Sequence, residues 1–163
     1  MKERRLGRTG LRVSEIGFGC WPIGGGSYGS VRDEDSLDAL EAAWDSGVNF
    51  FDTADVYGEG HSEELLGKFL KNKSRDQAVI ATKAGWDFYQ GSHKKNFSPE
   101  YLRLACEKSL RRLGIDTIDL FQLHNPSLEL IQRKDAVQVL ELLKKEGKIR
   151  FIGISVHTEV EAF

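Results

Sequence analysis

Four side chains that can take part in acid–base chemistry stand at or just after the ends of three predicted strands. Asp52 and Tyr57 follow an apolar run, and Lys83 and His124 each follow a later one. These strands are predicted over residues 48–52, 78–82 and 118–123. Because α/β folds place their chemistry at the carboxyl ends of their strands, we expect the four side chains to meet at one rim.

This set of groups suits the reduction of a carbonyl by hydride transfer. The developing alkoxide needs a proton from an acid that can release it near neutral pH. A phenol has a reference pKa of about 10, and a neighbouring ammonium stabilises the phenolate. Lys83 is placed to do this for Tyr57, and Asp52 is placed to pair with Lys83. His124 would hydrogen-bond the substrate oxygen and aim it at the hydride.

Each of the four also has an ordinary structural interpretation. Taken singly, they fit a capping carboxylate, a wall tyrosine, a solvated lysine and a satisfied polar strand end. Their joint position on neighbouring strand ends favours the catalytic interpretation. The remaining histidines lack ligand spacing, so no metal site is predicted at His61, His93 or His157.

The elements that position these groups alternate strand and helix. Predicted strands begin at residues 16, 48, 78, 118 and 149, at intervals of 32, 30, 40 and 31 residues. Each interval holds one strand, one helix and two connections, which indicates parallel strands joined by right-handed crossovers. The predicted fold class is therefore α/β, a parallel (β/α) repeat with five strands and four helices over 16–155, preceded by a β-hairpin over 1–15.

Helix-capping residues mark several of the predicted boundaries. Asp33 is predicted to cap the first helix, and Ser98 followed by Pro99 to open the third. The segment Thr158–Glu161 has the spacing of a capping box, which predicts that a further helix begins within 156–163. The chain stops at Phe163, so we expect a single domain over 1–163 that is a barrel truncated at its C-terminus.

Composition excludes several classes of partner. The 163 residues are 40% hydrophobic and 29% charged, with a formal net charge of −2, as in a soluble globular domain. Neither nucleic acid nor a membrane is an expected partner, because the net charge is slightly negative and the Lys and Arg residues are spread along the chain. Cys20 and Cys106 show no metal spacing and no signal peptide is recognised, so we expect a cytoplasmic protein that acts on small molecules.

A glycine-rich loop allows a different interpretation. Gly24, Gly26 and Gly29 formally satisfy the dinucleotide fingerprint G-x-G-x-x-G. However, three residues separate Cys20 from the first glycine, and three acidic residues over 33–35 would repel a diphosphate from the helix start. A loop over the pocket is therefore preferred, and a Rossmann-type nucleotide-binding module is the alternative.

Several motifs resemble those of the aldo-keto reductase family. They are, in chain order, LGRTGL at 6–11, GFG at 17–19, FDTADVYG at 51–58, ATK at 81–83, QLH at 122–124 and GKIRFIGIS at 147–155. The resemblance runs the whole length of the chain. It covers about the first five strands of the eight-stranded TIM-type barrel that the family implies.

The resemblance implies an NADP-dependent oxidoreductase that reduces aldehydes or ketones to alcohols, with Tyr57 as proton donor. It assigns the catalytic roles to the four residues derived above. It places the cofactor against Gly19, Cys20, Asp52 and Ser155. It places the carbonyl substrate near Trp21 and Trp86, and Tyr28 fits either this pocket or ordinary packing.

Two departures from the family's pattern are visible. Val156 follows Ser155, where the family commonly has an asparagine that helps to bind the nicotinamide carboxamide. The loops that hold the adenosine and the 2′-phosphate of NADP have no counterpart in these residues.

The missing strands leave a second functional class open. The chain could be a catalytically inactive half-barrel that acts as an oligomer or interaction protein. An open barrel exposes its inner face, for which Phe18, Phe51 and Phe121 are candidates, and leaves the edge of the strand 149–155 unpaired. We therefore expect a homo-oligomer through the open barrel face.

Overall fold

A computed structural model describes residues 1–26, 29–89 and 91–156, and the sequence analysis can be compared with it over these ranges. The strands are β1 (Glu3–Arg5), β2 (Arg12–Ser14), β3 (Phe18–Gly19), β4 (Phe50–Asp52), β5 (Val79–Ala84), β6 (Trp86–Asp87), β7 (Lys94–Lys95), β8 (Ile118–His124) and β9 (Ile149–Ser155). The α-helices are α1 (Asp33–Asp45), α2 (His61–Leu70), α3 (Pro99–Leu113), α4 (Leu128–Arg133) and α5 (Asp135–Lys145).

Five parallel strands form the main sheet in the order β3-β4-β5-β8-β9. Each strand pairs with the next one of this set along the chain, so the strand order never reverses. That order builds the wall of a TIM-type (β/α) barrel, whereas a Rossmann sheet reverses its order at a switch point. The barrel prediction is confirmed, and the Rossmann alternative is wrong.

The predicted helix signals are mostly confirmed. The Ser98 hydroxyl accepts a hydrogen bond from the Tyr101 backbone N–H at 3.2 Å, and Pro99 is the first residue of α3. Gly114 ends that helix in the left-handed conformation, with φ 65°. The prediction for Asp33 was wrong by one position: Arg32 occupies the N-cap and makes no side-chain cap, and Asp33 begins the helix. Three acidic residues in the first turn of α1 still stabilise it through the helix dipole.

Two connections are more elaborate than the sequence indicated. The segment between β8 and β9 holds both α4 and α5, where one helix was predicted, and Lys134 separates them with φ 66°. The long connection after β5 contains the small antiparallel hairpin of β6 and β7. Beyond Val156, the predicted start of a further helix lies outside the described residues.

The main core lies between the sheet and its helices. Phe51 is fully buried; it stacks on Trp44 of α1 with ring centroids 6.4 Å apart and meets Phe69 of α2 in a tilted contact at 5.6 Å. Phe121 is buried in the same cluster. These two phenylalanines therefore do not belong to the inner face, and that expectation was wrong. A strand covered on both sides carries apolar residues on both, so its pattern does not show which side faces the helices.

The inner face of the sheet is apolar at one end of the strands and polar at the other. At one end Leu11 and Val13 of the N-terminal hairpin pack against Val79, with Phe50 and Phe151 beside them. This hairpin, β1 with β2, is the one predicted over 1–15. The opposite end, at the carboxyl termini of the strands, carries polar groups. Among the described helices none is long and apolar enough to cross a membrane.

Candidate active site

Lys83 is the centre of a polar cluster at the carboxyl end of the sheet. Its Nζ lies 2.5 Å from Oδ1 of Asp52, 2.8 Å from the carbonyl oxygen of Thr53 and 3.4 Å from the Tyr57 hydroxyl. Parallel pairing of β4 with β5 brings these groups together, because Asp52 stands opposite Ala81, two residues before Lys83. The Lys83 side chain is only 6% exposed, so its charge depends on the Asp52 carboxylate.

The direction of these hydrogen bonds follows from the donors available. An ammonium has three hydrogens and no acceptor, so Lys83 donates to each of its three partners. The Tyr57 oxygen therefore accepts from Lys83, and its own hydrogen is free to be donated elsewhere. The 3.4 Å separation is long, as catalytic contacts often are before a substrate binds.

His124 joins the cluster from the end of β8. Its ring meets the Tyr57 ring edge-on, with centroids 5.8 Å apart and planes at 85°. Trp21 stacks on the same tyrosine ring, with centroids 5.9 Å apart and planes at 21°. Tyr57 is thus in contact with two aromatic rings, those of Trp21 and His124.

These residues border one cavity of about 580 Å³. Its lining includes Trp21, Tyr57, Trp86, His124, Asn125 and Ser155. Tyr28, which was predicted for the same pocket, lies outside the described residues. The volume is in the usual range for small-molecule sites, and the walls combine aromatic rings with a few polar groups.

A larger depression, of about 1340 Å³, opens at the opposite end of the sheet. Several of the charges that line it are paired: Asp119 binds Arg75 at 2.6 Å and Arg150 at 2.7 Å, and Arg12 binds Glu3 at 2.9 Å. Active sites of this fold lie at the carboxyl ends of the strands. The smaller cavity is therefore the candidate site.

The residues predicted to bind the cofactor lie around the same rim but differ in how exposed they are to a ligand. Ser155 borders the cavity and stands opposite His124 in the β8–β9 pairing. Gly19 is exposed at the end of β3, and a Cβ built on it would meet no atom within 4 Å. Cys20 is fully buried, its N–H donates to the Asp52 carbonyl, and burial raises the pKa of its thiol. It can support this rim but offers no exposed atom to a ligand.

The turn that carries Tyr57 is fixed by a close approach of two glycines. Gly58 has φ 60°, and a Cβ on it would lie 2.1 Å from the carbonyl oxygen of Gly24. A Cβ on Gly24 would in turn lie 2.8 Å from the backbone carbon of Tyr57. Only glycine allows the two backbones to touch in this way. Gly24, the first residue of the glycine-rich loop, therefore packs against the turn that carries Tyr57 and holds it in place.

Replacing Gly58 by alanine is expected to displace Tyr57. The variant combines left-handed backbone strain of about 1–2 kcal/mol with a clash against Gly24 that the turn must move to relieve. Gly114→Ala is a matched control, since Gly114 has nearly the same backbone angles and open space at its Cβ. Urea unfolding should show a larger loss of unfolding free energy for Gly58→Ala than for Gly114→Ala. The near-ultraviolet circular dichroism of Gly58→Ala should also change, because the environment of the Trp21 and Tyr57 rings changes. Equal losses of free energy in the two variants, with unchanged spectra, would contradict this role for the contact.

A buried polar layer supports the site from the side of the helices. Thr82 donates to Oε1 of Glu63 at 2.6 Å, and Arg112 donates from Nε to Oε2 of the same carboxylate at 2.7 Å. Glu63 is fully buried. Because a buried carboxylate is costly unless it is paired, this ion pair fixes α2 and α3 relative to β5.

Some residues of the site escaped the sequence analysis. Gln122 places its amide nitrogen 3.4 Å from Oδ2 of Asp52. It stands two residues before His124, so period-two alternation along β8 could have placed it on the same face. Glu59 and Asn125 line the cavity with φ values of 54° and 56°. No sequence signal indicated these left-handed positions in advance. Within the described part of the chain, no group of three or more His, Cys, Asp or Glu side chains could hold a metal ion.

The fold and the cluster at its strand ends define a barrel protein with a Tyr–Lys–Asp–His site, and comparison with known sequences gives the family. The sequence model of the Aldo/keto reductase family matches residues 15–162. The chain therefore belongs to the aldo/keto reductase family, a family of oxidoreductases.

Among curated relatives, the uncharacterized oxidoreductase YqkF of Bacillus subtilis is 38% identical over 157 residues, which are 95% of this chain and 49% of that protein. Among solved structures, the holo form of the aldo-keto reductase AKR11C1 from Bacillus halodurans superposes with a TM-score of 0.86 at 37% identity, over 96% of this chain and 51% of that one. An aldo-keto reductase from Klebsiella pneumoniae in complex with NADPH superposes with a TM-score of 0.77 at 30% identity, over 98% of this chain and 51% of that one. The chain thus spans about half the length of the relatives it matches.

Proposed function

We propose that this chain contributes the catalytic residues of an NADPH-dependent reductase that converts aldehydes or ketones to alcohols. The observation that carries the proposal is the Lys83 ammonium, held between the Asp52 carboxylate and the Tyr57 hydroxyl beside an aromatic cavity. Family membership and the cofactor of the Klebsiella relative support it.

Tyr57 is the proton donor in this proposal. Its hydrogen is not used by Lys83 and can point to the oxygen of a carbonyl in the cavity. When that hydrogen has moved, the phenolate lies against the ammonium 3.4 Å away and is stabilised by its charge. Asp52 keeps the ammonium in place, and the Gln122 amide orients the second oxygen of Asp52.

His124 orients the substrate. Its imidazole borders the cavity next to Tyr57, so one carbonyl oxygen can receive hydrogen bonds from both. Two donors aimed at the oxygen stabilise the negative charge that develops on it. Trp21 and Trp86 line the cavity and offer apolar surface to the substrate.

The residues present fit the nicotinamide end of the cofactor. Ser155 lines the cavity, Asp52 ends β4 with its side chain 36% exposed, and the exposed backbone at Gly19 leaves room for a ligand. NADPH, when bound, supplies the hydride. The loops that hold adenosine in the family have no counterpart in these 163 residues, so we expect the chain by itself to bind NADPH weakly in calorimetry. The two free, buried cysteines suit the reducing cytoplasm proposed as its location.

A chimera tests the proposal. Residues 1–156 are joined to the C-terminal half of the Bacillus halodurans relative, whose first half superposes on this chain. The folded chimera should oxidise NADPH when an aldehyde is added, and cooperative thermal unfolding serves as the control for folding. A folded chimera that binds NADPH but reduces none of a panel of aldehydes and ketones would contradict the proposed function.

A catalytically inactive interaction protein is the second candidate, and the observation that favours it is the pair of outer strands in the sheet. β3 and β9 are the outer strands of the sheet, and an outer strand offers unpaired backbone groups for association. We therefore propose that the 163-residue chain associates with itself through the open barrel face. Sedimentation of protein of verified mass should give a dimer or larger species. A compact monomer would contradict this association.

A further inference from the structure

Asp55 is a buried carboxyl group that the proposed reaction does not use. It lies between Asp52 and Tyr57 on the connection after β4 and is fully buried. Its backbone N–H donates to the carbonyl oxygen of Lys83 at 3.0 Å. Its position therefore bears directly on the segment that carries the proposed proton donor.

Two buried carboxyl groups share one guanidinium in this region. Arg112 supplies positive charge near Asp55, but its Nε and a terminal nitrogen both lie 2.7 Å from Glu63. The same terminal nitrogen also donates to the Tyr89 hydroxyl at 2.8 Å. The Arg112 guanidinium is thus bound to Glu63, and the Glu63 carboxylate would repel a second negative charge on Asp55.

The hydrogen bonds around Tyr101 give an independent indication. The Tyr101 hydroxyl donates to the carbonyl oxygen of Trp86, which can only accept, and so its single hydrogen is used. Oδ2 of Asp55 lies 3.5 Å from the same hydroxyl oxygen, at the long end of hydrogen-bonding range. A hydrogen between these two oxygens must come from Asp55. Oδ1 of Asp55 has no hydrogen-bond partner among the residues that the structure describes.

From this geometry we infer that Asp55 is a neutral carboxylic acid in the folded protein and positions the site by donating through Tyr101 to the carbonyl of Trp86. The chain of contacts links the Tyr57 segment, which follows Asp55, to the cavity wall at Trp86. Asp55 is a positioning residue, because it is fully buried and does not line the cavity. The positioning role rests on the proposed function, whereas the protonation state does not.

The surroundings of Asp55 also favour its neutral form. Burial, and next the charge of Glu63, raise the pKa of Asp55 well above its ordinary value, while the charge of Arg112 and a hydrogen bond from the Val56 backbone act in the opposite direction, as a hydrogen bond donated by Tyr101 would. Tyr89 also faces this carboxyl, and burial raises the pKa of its phenol, so it stays neutral. The folded state therefore keeps a proton that the unfolded state loses above about pH 3.9. Stability is fully present below that pH and declines as pH rises toward the folded pKa.

Carbon-13 NMR of the aspartate carboxyls tests the protonation state in the 163-residue chain. At pH 6 the resonance that disappears in Asp55→Asn should have the position of a carboxylic acid. A carboxylate position for Asp55 at pH 6 would overturn the inference. Turnover is not measured, so this result is separate from the success or failure of the proposed function.

Two substitutions at the same position test the positioning role. Asparagine can donate to Tyr101 as a neutral acid does, whereas alanine cannot. The backbone amide resonances of Tyr57 and Trp86 should keep their wild-type positions in Asp55→Asn and move in Asp55→Ala. Equal movement in both variants would show that the donated hydrogen bond is not what positions these residues.

The pH dependence of unfolding provides a further readout. Between about pH 3.9 and the folded pKa, the unfolding equilibrium constant of the wild type should rise about tenfold per pH unit relative to that of Asp55→Asn. Urea unfolding over this range measures the ratio. A ratio that stays constant with pH would overturn the claim that Asp55 is protonated only in the folded protein.

Discussion

Tyr57→Phe is expected to lower carbonyl reduction by the chimera about 10²-fold or more, the usual scale for removing a general acid. The phenylalanine keeps the ring that contacts Trp21 and His124 and removes only the hydroxyl. NADPH affinity should therefore change little, and the loss should appear in kcat. Steady-state kinetics with calorimetry on the same preparation measures both quantities.

Tyr89→Phe is the control for this substitution. It also removes one phenolic hydroxyl, but that hydroxyl binds Arg112 and does not line the cavity. We expect its kcat to stay within a few-fold of the wild-type value. Full activity in Tyr57→Phe would assign the proton to another group.

Lys83→Met should lower the rate by about 10²- to 10⁴-fold, because the phenolate that forms on Tyr57 loses its neighbouring cation. Methionine has a similar length, so the packing of the buried stem is largely kept. Asp52 loses its counter-ion, but its side chain is 36% exposed and water replaces part of that interaction. The main effect should thus be on kcat and not on folding, and stopped-flow measurement of NADPH oxidation together with thermal unfolding separates the two.

Lys73→Met controls for the loss of a positive charge. Lys73 binds Glu41 at 2.5 Å and contacts the rings of Trp44 and Phe69, at the start of the segment that follows α2. Its replacement should leave kcat unchanged. If the Lys83 variant reduced carbonyls at the wild-type rate, the ammonium could not be the group that stabilises the phenolate.

Much of the site could be predicted because strand ends are marked in the sequence. An apolar run that stops at a carboxylate, a lysine or a histidine places that residue on the rim, and parallel pairing then fixes which rim residues are neighbours. The contacts of Lys83 with Asp52 and Tyr57 followed from this rule. No pattern indicated the pairing of Gly58 with Gly24, because a close approach between distant backbones depends on three-dimensional packing.

The burial of Asp55 and the orientation of Phe51 were also beyond the sequence. Asp55 follows Ala54 in a connecting segment, where a carboxylate is ordinarily solvated. Its burial depends on α3, which places Tyr101 against it from 46 positions along the chain. Phe51 was assigned to the wrong face because strands covered on both sides do not alternate cleanly. Both features are decided by what packs against the residue.

A double-mutant cycle on Tyr57 and Lys83 tests the central claim most directly, since the proposal requires Lys83 to act through the tyrosine. The quantity measured is the single-turnover rate of NADPH oxidation by the chimera with NADPH already bound, which isolates the chemical step. We expect the double variant, Tyr57→Phe with Lys83→Met, to be about as slow as Tyr57→Phe alone, because a lysine that serves the hydroxyl has no role once the hydroxyl is gone. Rate losses that multiply in the double variant would show instead that the two residues act independently.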